Sequence, residues 1–326
     1  VEVERLLVIK LRGLGDTLLS TPALRALRRA FPRAHLTAVV SPAGQSVLAA
    51  NPDVDEIWVY DKAQAGGWRA LRFMRRLARG RFSLAIALHA SFRTALLALA
   101  SGAAVRVVHN HSGPNYFSTV KLPVPKVSQS AMARDLDAIR ALGLATAGEQ
   151  LTFPVSAEAQ AGIRPFLRSL RLAPRSQPML LVPGAGKTRK CWAAAPAAAF
   201  LDAAARRGVR WIILSGPDDA GLAREIQSLA ASHPPVFTGT LSEVGALMTQ
   251  CRGVVTTDSG PKHVAVAVGV PTLTLWTDES EAEWHPYDQN RHALVYSPSG
   301  VVADIPVRAV VSAATTHFRQ AWKRSR

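Results

Sequence analysis

The chain has 326 residues, which at roughly 100–200 residues per domain points to two domains. Hydrophobic residues make up 48% and charged residues 19%, ordinary globular usage that excludes a disordered chain, and no apolar run approaches the ~18 residues of a membrane-spanning helix. Lys and Arg number 39 against 23 Asp and Glu, a formal charge of +16, and residues 1–150 hold 20 basic and 10 acidic side chains, so the surplus is concentrated in the first half, where it draws anionic partners without choosing among them.

At the amino end, Val1-Glu2-Val3-Glu4-Arg5 carries two acids ahead of a strand-like run. That does not fit a basic-then-apolar secretory signal, and the expectation is a cytoplasmic protein. Leu6-Leu7-Val8-Ile9, then Gly13 and Gly15, then the periodic Leu18, Leu19, Ala23, Leu24 and Leu27 predict strand, tight loop and helix. Further strands are predicted at 36–40, 56–60, 84–88 and 105–108, with a helical pattern from Trp68 to Leu77. The pattern restarts after residue 175, with strands at 179–182, 211–214, 253–256 and 272–275. Alternation of this kind predicts two successive α/β units, each a parallel sheet covered by helices. Pro165, Pro174, Pro178 and the polar stretch Arg171 to Gln177 narrow the boundary, giving domains at 1–172 and 173–326. Ala193 to Ala205 reads as a helix packed closely on a sheet. His317 to Arg326, with Trp322, Lys323, Arg324 and Arg326, reads either as a membrane-touching tail or as a C-terminal helix that is frayed or crosses back onto the first domain. Cys191 and Cys251 have neither a disulfide framework nor metal-ligand spacing.

Three segments carry chemistry, each directly after a predicted strand, where open α/β sheets place their ligands. In Lys10-Leu11-Arg12-Gly13-Leu14-Gly15-Asp16-Thr17-Leu18, Leu18 stands where a dinucleotide fingerprint needs its third glycine. Asp16 is either a helix N-cap or a general base able to take a proton from a sugar hydroxyl. In Pro183-Gly184-Ala185-Gly186-Lys187-Thr188-Arg189-Lys190-Cys191-Trp192, the glycines allow close backbone approach and three cations suit phosphate, but Leu181 in place of glycine rules out a Walker A loop. In Thr257-Asp258-Ser259-Gly260-Pro261-Lys262-His263, a strand turns into a helix whose first N–H groups suit an anion. His263 is either a phosphate or sugar contact or a satisfied structural histidine. Asp53-Val54-Asp55 matches a metal-binding D-x-D pattern but reads better as a turn, and His109 and His111 have no third ligand nearby.

The first of these segments with Thr21-Pro22-Ala23-Leu24, then Ser215-Gly216-Pro217-Asp218-Asp219, then Asp258 to His263 with Gly269-Val270-Pro271-Thr272, resemble the lipopolysaccharide heptosyltransferases of glycosyltransferase family 9, from about residue 5 to about residue 298. The resemblance implies GT-B architecture, two Rossmann-like parallel-sheet domains facing across a cleft, the first binding acceptor and the second nucleotide sugar. It implies inverting transfer of heptose from ADP-heptose to a hydroxyl of the lipopolysaccharide inner core at the cytoplasmic face of the inner membrane, with no metal and no cofactor. Asp16 is then the catalytic base. Lys190 contacts the nucleotide sugar, Asp258, Ser259, Gly260 and His263 hold sugar and diphosphate, and Asp219, or less readily Asp218, lies near the ribose. Gly184, Ala185, Gly186 and Leu241 complete the donor-binding set. Arg12, Gly15 and Arg93 fall to the anionic acceptor, and the Arg69 to Arg81 helix is either a further acceptor contact or a solvated face.

The chain departs from the family pattern at Ala87-Leu88-His89-Ala90-Ser91-Phe92-Arg93, which lacks an acid and a glycine, at Lys262, where an uncharged residue is common, and at Ser215. These differences leave room for another nucleotide-sugar donor, another acceptor, or a non-catalytic nucleotide-sugar-binding module. A nucleic-acid partner is not expected, since aromatics are 6% and none interleave with a basic binding motif.

Overall fold

In the computed structural model, which describes residues 3–64, 66–109, 117–122, 129–172, 176–277 and 279–319, the first apolar run becomes β1 (Arg5–Lys10), buried on both faces as the middle strand of a parallel sheet requires. His111, Pro174 and the tail residues Trp322, Lys323, Arg324 and Arg326 lie outside the described residues. The chain continues through α1 (Leu14–Leu19), α2 (Thr21–Ala30), β2 (His35–Val40), α3 (Pro42–Leu48), β3 (Glu56–Val59), α4 (Gly67–Arg79), β4 (Leu84–Ala87), α5 (Phe92–Ala100), β5 (Val105–Val108) and α6 (Ala131–Ala141). These strands form one parallel sheet in the order β3-β2-β1-β4-β5, with Leu7 level with Thr37 on one side and Ala85 on the other. The order reverses between β1 and β4, and the crevice outside the carboxyl ends of those two strands is the natural ligand position.

The second half runs α7 (Ala157–Ser169), β6 (Met179–Val182), α8 (Ala194–Ala205), β7 (Trp211–Leu214), α9 (Ala220–Leu229), β8 (Val236–Phe237), α10 (Leu241–Thr249), β9 (Val254–Thr257), α11 (Gly260–Ala267), β10 (Thr272–Trp276), α12 (Glu281–Trp284), β11 (His292–Tyr296) and α13 (Val307–His317). Its sheet, β11-β10-β9-β6-β7-β8, reverses direction between β6 and β9 in the same way. The alanine-rich segment is α8, and Ala197, Ala198 and Ala204 lie in a core with Met179, Leu181 and the ring series Trp192, Phe200 and Trp211.

The units divide at Phe153 and Pro154 rather than at residues 172 and 173, and Ser280–Pro286 belongs with the first unit. The reason is α7. It continues through Pro165, which costs about 3 kcal/mol in a helix interior, because Ala159 and Ile163 are buried, α7 packs on α10, and Phe166 meets Phe237 edge-on at 4.9 Å. α13 packs on α8, β10 and β11 within the second unit, and most of the tail read from His317 onward, residues 320–326, lies outside the described residues.

Candidate functional site

In the first unit, Gly13 is the N-cap of α1 and Asp16 stands in its first turn, so the helix-cap reading of Asp16 fails. Thr17 closes the turn, its backbone N–H and hydroxyl both donating to the Gly13 carbonyl. That leaves the Asp16 carboxylate to the partly exposed Arg12, whose Nε lies 3.3 Å from Oδ1. Gly15 is in the same turn, and Arg93 is exposed in the first turn of α5, beyond the carboxyl end of β4. Lys62, which the sequence reading passed over, shares this region. Burial lowers its pKa, the charges of Arg12 and Arg93 lower it further, and Asp16 opposes them.

Beneath Asp16 a cavity of about 60 Å³ opens at the β1/β4 reversal, lined by Lys10, Arg12, Asp16, His89, His109 and Asp135 among others. Lys10 is buried and ties the two strands together, its Nζ donating to the Leu88 carbonyl at 3.0 Å and to Asp135 at 2.6 Å. Burial raises Asp135 to about 7 against the opposing pull of Lys10. His109 is pushed down to about 4, first by burial and then by Lys10 and Arg134, so it is neutral at neutral pH. Asp135 lies 125 residues from Lys10, and no local pattern could have paired them.

In the second unit, β6 feeds the loop 183–187 and a 3-10 turn, Thr188–Lys190. The loop is closed at its far end, where the Trp192 ring is buried in the core and its backbone N–H donates to the Pro183 carbonyl. Cys191 braces it from inside, accepting from the Ala185 N–H at 3.3 Å. Thr257, at the end of β9, donates to the Gly184 carbonyl at 2.6 Å, so the two loops at the β6/β9 reversal are fastened together. Asp219 N-caps α9, and its carboxylate lies against Gly184, where a Cβ would stand 2.1 Å from Oδ2. Burial, then the charge of Asp218, raises its pKa. Gly184, Asp219, Asp258 and Lys190, read from three separate segments, are therefore brought to one edge of one sheet.

The centre of this edge is a buried ion cluster. Lys190 donates to Asp258 Oδ2 at 2.6 Å and Lys262 donates to Oδ1 at 2.5 Å. Lys262 is 0% exposed and lies 4.7 Å from the centre of the Trp276 ring. Burial raises Asp258, yet the two ammonium groups hold it down at about 2; burial lowers the pKa of Lys262. Glu279, also missed in the sequence, accepts from Lys187 at 3.1 Å and Arg189 at 2.7 Å and lies 3.5 Å from Lys190. Four cations thus face two carboxylates, leaving positive charge beside the N-terminus of α11, where Ser259 is the N-cap with no side-chain cap bond and Gly260 begins the helix. His263, one turn in, is buried and shares a hydrogen bond through Nδ1 with the Tyr287 hydroxyl. Burial, then the charge of Asp258, raises Tyr287 well above its usual range, so it stays protonated. Gly186 has open space around it, Ala185 is held by Cys191, and Leu241 is half-buried at the start of α10.

The D-x-D segment is structural: Asp55 accepts from Arg28 at 2.5 Å and from the Leu36 N–H at 2.7 Å, and Asn51 accepts from the Asp53 N–H.

The sequence profile of glycosyltransferase family 9 (heptosyltransferase) matches residues 70–300. A lipopolysaccharide heptosyltransferase 3 of Escherichia coli is 24% identical over 307 residues, covering 90% of this chain and 88% of its own. Among solved structures, the glycosyl transferase family 9 protein of Veillonella parvula superposes with a TM-score of 0.86 at 26% identity, covering 98% of this chain and 99% of its own. E. coli ADP-heptose lps heptosyltransferase II superposes with a TM-score of 0.78 at 20% identity, over 97% and 99% of the two chains.

Proposed function

The chain belongs to glycosyltransferase family 9 (heptosyltransferase), and from that premise we propose that it transfers heptose from ADP-heptose to a hydroxyl of the lipopolysaccharide inner core, with inversion, at the cytoplasmic face of the inner membrane. The observation that supports the donor assignment is the Lys190–Asp258 hydrogen bond, which joins two distant motifs at the β6/β9 reversal within a cluster of four cations and two carboxylates that is net positive.

In the proposed reaction the acceptor oxygen attacks the anomeric carbon of heptose while Asp16 takes the hydroxyl proton. The bond from that carbon to the diphosphate oxygen breaks, and its electron pair leaves with ADP. Lys190 and the first N–H groups of α11 oppose the charge that develops on the leaving oxygen, a stabilisation that needs no metal. Gly186 leaves room for the diphosphate, Gly184 lets the Asp219 carboxylate close against the loop, Asp219 accepts from the ribose, and His263 and Ser259 take the sugar side. Arg12, Gly15, Arg93 and Lys62 meet the anionic acceptor.

The test is release of ADP from ADP-heptose by the protein and by Asp16→Ala, each with and without a deep-truncated lipopolysaccharide acceptor. ADP released only with acceptor, and lost by about 10²–10⁴-fold in the variant while nucleotide binding persists, is the expected result. Binding without acceptor-dependent release would discard the acceptor or the catalytic role, and failure to bind ADP-heptose would discard the donor.

A further inference from the structure

Helix α4 buries only Leu77 completely, and its solvent side is unlike a neutral surface helix. At 100° per residue Trp68, Arg72, Arg75 and Arg79 recur at i, i+4, i+7 and i+11, one stripe along the side opposite Phe73 and Leu77. The Arg72 guanidinium lies 5.9 Å from the centre of the Trp68 ring, so the stripe is formed by the side chains and not only by their spacing. Leu71 flanks it. Trp68 is 67% exposed and Leu71 48%, and the helix has no acidic residue. Arg69, Arg75 and Arg79 have no acidic partner among the described residues, whereas Arg76, on the flank, is engaged with Glu56 and the Trp58 ring.

The neighbouring helix extends the surface. α5 packs on α4 and begins with Phe92, 72% exposed, followed by the exposed Arg93. Both helices leave the carboxyl end of the sheet, the end that also carries Asp16. Single exposed hydrophobics need no explanation, but Trp68 and Leu71 lie one turn apart beside a row of arginines, and Phe92, whose ring meets Phe117, opens the helix packed on α4. A partner that is only anionic would have no use for Trp68, Leu71 and Phe92, and one that is only apolar would leave three arginines to be desolvated. An anionic bilayer surface satisfies both, with apolar groups entering the acyl boundary and guanidinium groups on the headgroups.

We propose that the α4–α5 face is a docking surface for anionic lipid bilayers, in which Trp68, Leu71 and Phe92 enter the interface and Arg72, Arg75 and Arg79 lie along the headgroups. It rests on the membrane location proposed above and assigns the side of the protein that meets the membrane.

The experiment is co-sedimentation of the full chain with vesicles of phosphatidylglycerol mixed with phosphatidylethanolamine, and with phosphatidylcholine alone. The expected result is binding to the anionic vesicles that weakens as the Debye length falls from ~8 Å at ~0.15 M salt to ~3 Å at ~1 M. Arg72→Gln with Arg75→Gln and Arg79→Gln lowers it roughly hundredfold, at about fivefold per basic residue. Trp68→Ser with Leu71→Ser lowers it roughly tenfold or more. Because these two side chains are exposed, that double variant keeps its melting temperature and its ADP release with a delipidated, soluble core acceptor. Vesicle binding unaffected by either set of changes would overturn the proposal. So would a Trp68-dependent dimer, or Trp68-dependent oligonucleotide binding, in the absence of vesicle binding. Failure of soluble-acceptor turnover in the unmodified protein would count against the transferase reading alone.

Discussion

Replacing Asp258 by Asn and replacing Lys262 by Met remove opposite ends of one buried ion pair, and their consequences should be unequal. Holding the Asp258 carboxyl at about 2 rather than 3.8 corresponds to roughly 2–3 kcal/mol of stability, at ~1.4 kcal/mol per tenfold change in proton affinity. Asp258→Asn forfeits that and leaves the ammonium of Lys262, which has no exposed surface, without its countercharge. Breaking a buried pair in this way costs roughly 3–5 kcal/mol. Lys262→Met leaves Asp258 bonded to Lys190 and keeps an unbranched chain against the Trp276 ring, while relieving a charge that burial opposes. Its cost is expected to be smaller, because Asp258 keeps Lys190 as a partner and no buried charge is left unpaired. The pH dependence follows from the sign of the Asp258 shift. A depressed carboxyl stabilises the fold above its unfolded pKa, and that contribution is lost as pH falls from about 4 toward about 2. With Lys262→Met one of the two cations is gone, so the loss sets in at higher pH. Urea midpoints at neutral and acid pH, with hydrogen exchange of the β9 amides to confine the effect to the second unit, measure both. Asp258→Asn unfolding with the wild-type midpoint, or Lys262→Met costing as much as Asp258→Asn, would refute the cluster as the organising feature of this edge.

Inorganic pyrophosphate, by supplying the missing negative charge, should raise the melting temperature of Asp258→Asn more than that of wild type; equal shifts in a thermal scan would mean that the lysines do not face the diphosphate. Gly184→Ala places a Cβ 2.1 Å from the Asp219 carboxylate, which can swing aside, so stability should change by no more than about 1 kcal/mol while titration calorimetry shows ADP affinity reduced at least tenfold. An unchanged affinity would remove Asp219 from the nucleotide site. In the first unit, a carboxyl raised to about 7 keeps its proton in the folded state after the unfolded chain has lost it, so it lowers stability as pH rises from about 4 to about 7. Asp135→Asn should flatten that part of the profile of urea midpoint against pH, and an unaltered slope would assign it to other groups.

Strands buried on both faces were legible because they read as short unbroken apolar runs: β1, β6 and β9 fall within a residue of the runs seen in the sequence. β8 is two residues long and β11 is half-exposed, so neither rises above its surroundings as a pattern. The boundary was misplaced because proline was given its local meaning, whereas the α7–α10 packing outweighs the break at Pro165. At the sites, the motifs marked which loops matter but not what each side chain touches. Asp258 stood in the sequence as a holder of sugar and diphosphate, and both of its oxygens are occupied by lysines. Glu279, Lys62 and Asp135 were invisible for a different reason: each acts on a charge far away in the chain and belongs to no local spacing.

The two units reverse strand order at equivalent places and make opposite use of them. At the β1/β4 reversal a carboxylate, Asp16, stands at the surface of a basic region, held by one long bond to a partly exposed arginine. That is what a proton acceptor needs: a carboxylate within reach of the surface, with no bond so short that the proton has nowhere to go. At the β6/β9 reversal the carboxylate is the buried partner and the cations are in excess, bonded at 2.5 and 2.6 Å so that their positions are fixed before any anion arrives. That is what a leaving diphosphate needs, since charge stabilisation is largest when the stabilising groups do not have to reorganise. The shared topology selects only where a ligand can sit. In the proposed reaction, the end that each unit serves follows from whether a carboxylate or an excess of cations stands at that position.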